Sequence, residues 1–194
     1  MGQNESRSGL GSTLVYSELF SDNLIRIISK YKIEAIYDCA CGDWNWMKRI
    51  SHHFKNYIGN DIVQEICDTN NALFGNDKIK FTAGDMVAQM KLYPDKHFDL
   101  VVCRHVLEHL PTSYVLSALQ EIRRIAKYAI ITSSKAYDAG RTNAQIDFDG
   151  YNSRPINLEK PPFVELLPSP TECFPDTRKE LMAEPGMGNF YCFS

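Results

Sequence analysis

The chain has 194 residues, 44% hydrophobic and 23% charged, with a formal net charge of −3. That is ordinary globular usage for one domain with a full core, and it excludes disorder, collagen-like repeats and coiled coil as descriptions of the whole. No apolar run reaches the roughly 18–20 residues that span a bilayer, and residues 1–134 balance 15 Lys/Arg against 15 Asp/Glu, so neither a membrane nor a nucleic-acid partner is expected.

The polar stretch Met1 to Gly11 gives no sign of a secretory leader. Met1-Gly2-Gln3-Asn4-Glu5-Ser6 fits the short MGxxxS acylation pattern, but no polybasic second anchor follows. Residues 1–12 are rich in Gly, Ser and Asn and are expected to be loose. Leu19, Phe20, Leu24, Ile27 and Ile28 then recur at helical spacing up to Tyr31, with Ser21 or Asp22 as a capping residue.

A strand–helix alternation follows. Ala35 to Cys39 reads as a strand, then a helix from Trp44 to Ile50 with Asp43 as N-cap. Tyr57 to Asp61 is a second strand, Ile62 to Leu73 a helix, and Ile79 to Ala83 a third strand followed by Gly84-Asp85. Phe98 to Cys103 is a fourth strand, Thr112 to Ala126 a helix with Val115, Leu119 and Ile122 on one face, and Tyr128 to Thr132 a fifth strand. Such an order implies βαβ units and a Rossmann-like, doubly wound, mostly parallel α/β sheet. After Lys135 the chain turns irregular, rich in Pro, Gly, Asn and Asp, with Phe163–Leu167 and Phe190–Phe193 as candidate closing strands. The expected layout is a single domain: 1–32 as an N-terminal lid, 33–135 as the binding core, and 136–194 as a substrate-side region.

The six cysteines, Cys39, Cys41, Cys67, Cys103, Cys173 and Cys192, lack zinc-ribbon or finger spacing. They read as reduced thiols of a cytoplasmic protein, and no metal site is expected.

In open α/β sheets ligands bind beyond the carboxyl ends of the strands. Strand one ends in Asp38-Cys39-Ala40-Cys41-Gly42-Asp43, strand two in Asp61, and strand three in Gly84-Asp85-Met86. Small residues allow close backbone approach, an acid after strand two can accept both hydroxyls of a ribose, and an acid after strand three can accept an adenine amino group. The GxGxxG fingerprint of dinucleotide enzymes is missing. An acidic mouth with Trp44 and Trp46 suits a cationic ligand better, although both tryptophans also read as core packing.

These spaced segments, with Phe98-Asp99-Leu100-Val101, resemble class I S-adenosylmethionine-dependent methyltransferases over roughly residues 33–135. Cys41-Gly42-Asp43-Trp44-Asn45-Trp46-Met47 is similar to the signature of a family of small methyltransferases. So are Gly11-Ser12-Thr13, Arg104 to Leu110, and the late Arg154-Pro155-Ile156-Asn157-Leu158 with Pro162-Phe163. One departure is plain: the class I loop carries three alternating glycines, and here Ala40 and Trp44 hold the outer two places around Gly42.

The resemblance implies S-adenosylmethionine as cofactor, with S-adenosylhomocysteine as product. It places Asp61, with Ile62 beside it, at the ribose and Asp85 with Met86 at the adenine. Asp38, Cys39, Ala40 and Gly42 line the methionine moiety, and Cys103 and Arg104 face the reactive methyl. Arg104, His105 and His109 are the candidates for chemistry, the histidines sharing a face if their segment is helical. Tyr16, Lys135, Tyr137 and Arg154 are candidates for the acceptor side, with Arg141 and Tyr151 close by in sequence. The implied acceptor is a small molecule methylated on oxygen or nitrogen and bearing, on this reading, a carboxylate or phosphate. A non-catalytic cofactor-binding partner subunit and a nucleic-acid methyltransferase remain alternatives, and the oligomeric state is open.

Overall fold

The computed structural model describes residues 5–133, 143, 153–181 and 186–193. Its elements in chain order are α1 (Leu14–Tyr31), β1 (Ala35–Cys39), α2 (Met47–Ile50), β2 (Asn56–Asp61), α3 (Gln64–Phe74), β3 (Ile79–Ala83), α4 (Met86–Met90), β4 (Phe98–Cys103), α5 (Thr112–Ile125), β5 (Ala126–Ser133), β6 (Glu172–Pro175) and β7 (Met187–Cys192). The strands form one seven-stranded sheet in the order β3-β2-β1-β4-β5-β7-β6. The first five are mutually parallel, while β7 runs antiparallel to both β5 and β6. The order reverses between β1 and β4, and Cys39 pairs with Cys103 at that seam.

Strand residues alternate between two apolar layers. Leu100 and Val102 of β4 pack with Ile36, Ile130 and Phe190 beneath Phe20, Leu24 and Ile27 of α1. Val101 and Cys103 pack on the other face with Tyr37 and Ile131 beneath Val115, Leu119 and Ile122 of α5. Period 2 in the strands thus meets period 3.6 in the helices on both faces. The irregular stretch after residue 153 adds Ile156, Leu158, Phe163 and Leu167 to the α5 layer. Among the described residues no helix is long and apolar enough to cross a membrane, and all six cysteines are free thiols.

Several expected boundaries move. α1 starts at Leu14 after Thr13, so Ser21 and Asp22 lie mid-helix, and the Ser21 hydroxyl donates back to the Ser17 carbonyl. Lys32 ends α1 in the left-handed conformation (φ 56°) with its N–H on the Ile28 carbonyl. The helix after strand one shrinks to Met47–Ile50, and Asp43 does not cap it. The short α4, capped by the Asp85 carboxylate through the Ala88 N–H at 2.8 Å, has no counterpart in the sequence reading. Phe163–Leu167 is not a closing strand. The segment instead forms the 3-10 turn Phe163–Glu165 after Pro161-Pro162, with Phe163 and Leu167 both buried.

The edge strand beyond β7 is β6, and Glu172 at its start is gripped by Arg26, Lys30 and Tyr31 of α1. Phe174 of β6 sits opposite Gly188 of β7, and a Cβ at Gly188 would stand 2.4 Å from the Phe174 ring. Gly188→Ala is expected to cost about 1–3 kcal/mol by overpacking. Urea unfolding measures it, and Phe174→Ala in the same chain should recover part of the loss.

Candidate active site

Three residues after β1 take the left-handed conformation: Ala40 (φ 55°), Gly42 (φ 56°) and Trp44 (φ 55°). These are the three alternating places that the class I loop fills with glycine, so the backbone path is kept although two glycines are gone. For the two L-residues this stores roughly 1–2 kcal/mol each, strain of the kind found at functional sites. Three hydrogen bonds hold the loop in shape. The Cys41 N–H donates to the Asn60 carbonyl (2.9 Å), the Gly42 N–H to Asp61 Oδ2 (3.0 Å), and buried Asn70 donates to the Gly42 carbonyl (2.8 Å).

The alternation separates the two tryptophans. Trp44 is 3% exposed and packs among Tyr57, Phe74 and Phe81, so it belongs to the core and not to the ligand face. Trp46 stands edge-on to Phe20 and beneath the Arg104 guanidinium, and it lines a cleft of about 470 Å³ above the β1/β4 seam.

Two acids line the inner end of that cleft. Asp38 is 4% exposed and accepts a 2.7 Å hydrogen bond from the Tyr57 hydroxyl. Burial pushes its carboxyl up to about 7, against the pull of Tyr57 and the Arg104 charge. Asp61 accepts the Gly42 N–H on one oxygen and the Val63 N–H on the other, each at 3.0 Å. Ile62 beside it is 72% exposed.

Asp85 stands exposed at the end of β3, bonded to the Ala88 N–H and the Tyr114 hydroxyl. Met86, expected against an adenine, is packed into the α5 layer because α4 turns it inward. Cys39 and Cys103 also face that layer, and neither lines the cleft.

At the outer end, Arg104 is not available to a ligand. It makes a bidentate ion pair with Asp176 (2.8 Å on both arms), donates to the Gly11 carbonyl at 2.9 Å, and is buried. His105, at φ 53°, is held between Glu108 on Nδ1 and Asp176 on Nε2, both 2.9 Å away. Burial alone would lower its pKa, but the hydrogen bonds to Asp176 and Glu108 outweigh that and hold it up to about 9. Near neutral pH it is therefore an imidazolium and not a general base. Its segment is also no α-helix: only Leu107–His109 forms a 3-10 turn, so the expected shared helical face with His109 is absent. His109 remains exposed on the cleft wall.

The acceptor-side candidates fare differently. Buried Arg154 donates its backbone N–H to the Glu108 carbonyl and its Nη2 to the Leu110 carbonyl, which fixes the loop after β4. Tyr16 reaches the Leu181 carbonyl at 3.5 Å and ties α1 to the late segment. Neither lines the cleft. Lys135, Tyr137, Arg141, Tyr151 and the Met1–Asn4 start, with Gly2, lie outside the described residues.

The sequence reading missed three parts of the site. Asp176 sits in an irregular stretch with no pattern to mark it. Tyr57 read only as a strand residue. The third is the N-terminal strap. Asp43 binds the Ser6 hydroxyl (3.1 Å), the Arg7 N–H (2.7 Å) and the Ser8 hydroxyl (3.2 Å), and Arg7 pairs with Glu65. Ser8 Oγ fills the space that a Cβ on Gly42 would take, 2.2 Å from it. Residues 5–12 are thus tied to the loop and not loose.

The paired network gives a pH signature. His105 is raised from its ordinary 6.5 to about 9, so its contribution to stability is complete below 6.5 and is lost as pH rises through 9. Asp176 is lowered from 3.8 to about 2 by His105 and Arg104, despite burial, so its contribution is lost only as pH falls through that range. The wild type is expected to lose stability between pH 6.5 and 9, and His105→Ala to flatten that slope. Urea unfolding at pH 6, 7.5 and 9 reads it, and parallel curves for the two proteins would refute the assignment.

Residues 37–129 match the family described as a methyltransferase domain. No curated protein matches the chain in sequence. Among solved structures, the N-methyltransferase NodS from Bradyrhizobium japonicum WM9 is similar at 16% identity and a TM-score of 0.64, covering 90% of this chain and 94% of that one. The magnesium protoporphyrin IX methyltransferase ChlM from Synechocystis PCC 6803, solved with bound SAH, aligns at 14% identity and a TM-score of 0.64, over 90% and 82% of the two chains. A SAM-dependent methyltransferase from Archaeoglobus fulgidus aligns at 23% identity and a TM-score of 0.50, over 62% of this chain, and this chain spans only 54% of its length. At such identities the likeness is one of fold: the chain has the class I methyltransferase, Rossmann-like architecture.

Proposed function

We propose that the chain is an S-adenosylmethionine-dependent methyltransferase that transfers a methyl group to an oxygen or nitrogen of a small-molecule acceptor. The observation that carries this reading is the pair of buried acids, Asp38 and Asp61, flanking a triply left-handed loop at the point where the strand order reverses. The methyltransferase-domain match over residues 37–129 supports it.

The cleft suits a cationic nucleoside ligand. Asp61 has oxygen lone pairs beyond its two backbone bonds for ribose hydroxyls, and the backbone at Ala40 and Gly42 would take the amino-acid end. Asp38 would face the positive charges, and Asp85, exposed past β3, would reach the adenine amino group. S-adenosylmethionine, when bound, supplies a methyl on a sulfonium that is already a good leaving group.

The chain's own share is alignment and exclusion of water. The strap over Gly42 closes one side of the cleft, and the Arg104–Asp176 pair fixes the end of β4 beneath it. A protonated acceptor needs a base, and with His105 held as imidazolium His109 is the imidazole left to serve. Arg104 and Arg154 are committed to internal partners, so neither offers a seat for an acceptor carboxylate or phosphate. The locked His105 also favours a second reading, a cofactor-binding partner subunit without turnover.

Calorimetric titration with S-adenosylmethionine and S-adenosylhomocysteine, followed by methyl transfer to a small-molecule panel, tests both. Micromolar binding with turnover is the expected result. Binding without turnover moves the assignment to the partner subunit, and a folded chain that binds neither compound overturns the cofactor.

A further inference from the structure

We propose that Tyr57 is a positioning residue of the cleft: from behind, its hydroxyl orients the Asp38 carboxylate and keeps it charged for a cationic ligand. The role rests on the cofactor reading above. Tyr57 is fully buried on β2, where it pairs with Ile36, two residues before Asp38 on the neighbouring strand. Its ring is fixed by Phe54 (5.7 Å), Trp44 (5.4 Å) and Phe81 (5.8 Å). Only the hydroxyl reaches the site, 2.7 Å from Asp38 Oδ2. A hydroxyl held this rigidly donates to the carboxylate without first losing rotamer freedom, so the bond costs little ordering entropy.

The geometry also explains why a tryptophan replaces a loop glycine. The left-handed turn at Trp44 sends its ring onto Tyr57 and closes the aromatic wall behind Asp38. Arg104 at the end of β4 and Asp61 at the end of β2 are the charged groups facing Asp38, and they act in opposite senses. Cys41, Tyr37 and Cys103 are the neutral titratable neighbours. Tyr57 is therefore the one neutral group that donates to this carboxylate among the described residues, and burial works against it.

Tyr57→Phe removes the oxygen and leaves the ring. In wild type, S-adenosylmethionine affinity is expected to fall as pH drops through about 7, where Asp38 takes up a proton. In Tyr57→Phe the fall should move up by about one pH unit, giving roughly fivefold weaker binding near pH 7, approaching tenfold at lower pH, and near-normal binding at pH 9. Asp38→Asn should bind weakly with no such pH dependence. A second readout needs no ligand: the Asp38 carboxyl resonance, followed by carbon-detected NMR in the unliganded chain, should titrate at higher pH in Tyr57→Phe.

Superimposable pH profiles in the two proteins overturn the role of Tyr57. So does a pH-independent loss of affinity with an unmoved carboxyl titration, which marks a merely structural residue. Absence of binding at every pH in the folded wild type overturns the cofactor reading instead, and with it this role.

Discussion

Arg104→Ala is expected to destabilise the chain by about 3–5 kcal/mol, because a buried ion pair loses one partner and Asp176 keeps only His105 and Thr177 among the described residues. The side chains of Arg104 and Asp176 are 5% and 1% exposed, and the guanidinium meets both carboxylate oxygens at 2.8 Å. It also lies over the rings of Phe20 (5.0 Å) and Trp46 (5.6 Å) and holds the Gly11 carbonyl. One residue thereby fastens the end of β4, the strap before α1 and the segment after β6. For a domain of this size 1 kcal/mol shifts Tm by roughly 2–4 °C, so the midpoint should fall by roughly 6–20 °C. Arg104→Lys should fall in between, because an ammonium cannot fork onto both oxygens. Replacing both partners with apolar residues should cost less than the single change, the remaining loss being the contacts to His105 and the Gly11 carbonyl. Thermal and urea unfolding measure all three, and a loss under about 1 kcal/mol for Arg104→Ala would mean the pair is energetically idle.

The second large effect concerns Asp61. Asp61→Ala is expected to weaken S-adenosylhomocysteine binding by about 10–100-fold, the cost of one charged hydrogen-bond partner. Two contributions act together. The ribose hydroxyls lose their acceptor, and the Gly42 and Val63 N–H groups lose theirs, so the strained left-handed loop after β1 loses one of the bonds that hold it. Asp61→Asn keeps the volume and one acceptor oxygen, and its affinity should fall between the two. Calorimetry on folded protein reads the result, and unchanged affinity in the alanine variant refutes the ribose role.

How legible the chain was depends on the range of the interactions involved. β1 to β5 were readable because each is a short apolar run, and the cleft-side ones end in an acid or small residue. α5 was readable because Val115, Leu119 and Ile122 repeat at one helical face. The acids of the cleft followed from their places at strand ends.

β6 was not readable. Four residues ending in Pro175 carry almost no periodic signal, and the strand exists because β7 and α1 hold it. Trp44 and Trp46 lie two apart in one motif, and only the backbone conformation at Trp44 decides that one enters the core while the other lines the cleft. The partner of Arg104 lies 72 residues away, and nothing local marks Asp176. His105 looked like a base until the two carboxylates beside it were in place. Gly11-Ser12-Thr13 was the one trace of the strap in the sequence, and its use became clear only when the Gly11 carbonyl met Arg104 and the Ser12 carbonyl met Asn45.

The sheet order has a consequence for how the protein is made. β5 carries Ile130 and Ile131, and among the described residues its far side is covered by β7, more than fifty residues later in the chain. At ribosomal speeds of about 5–20 residues per second, that strand waits on the order of 3–10 s for its partner. During that wait the nascent chain presents an apolar, unpaired edge of the kind that recruits other strands. Synthesis rate and chaperone supply therefore bear on the yield of this protein, and slower translation through residues 134–186 lengthens the exposure.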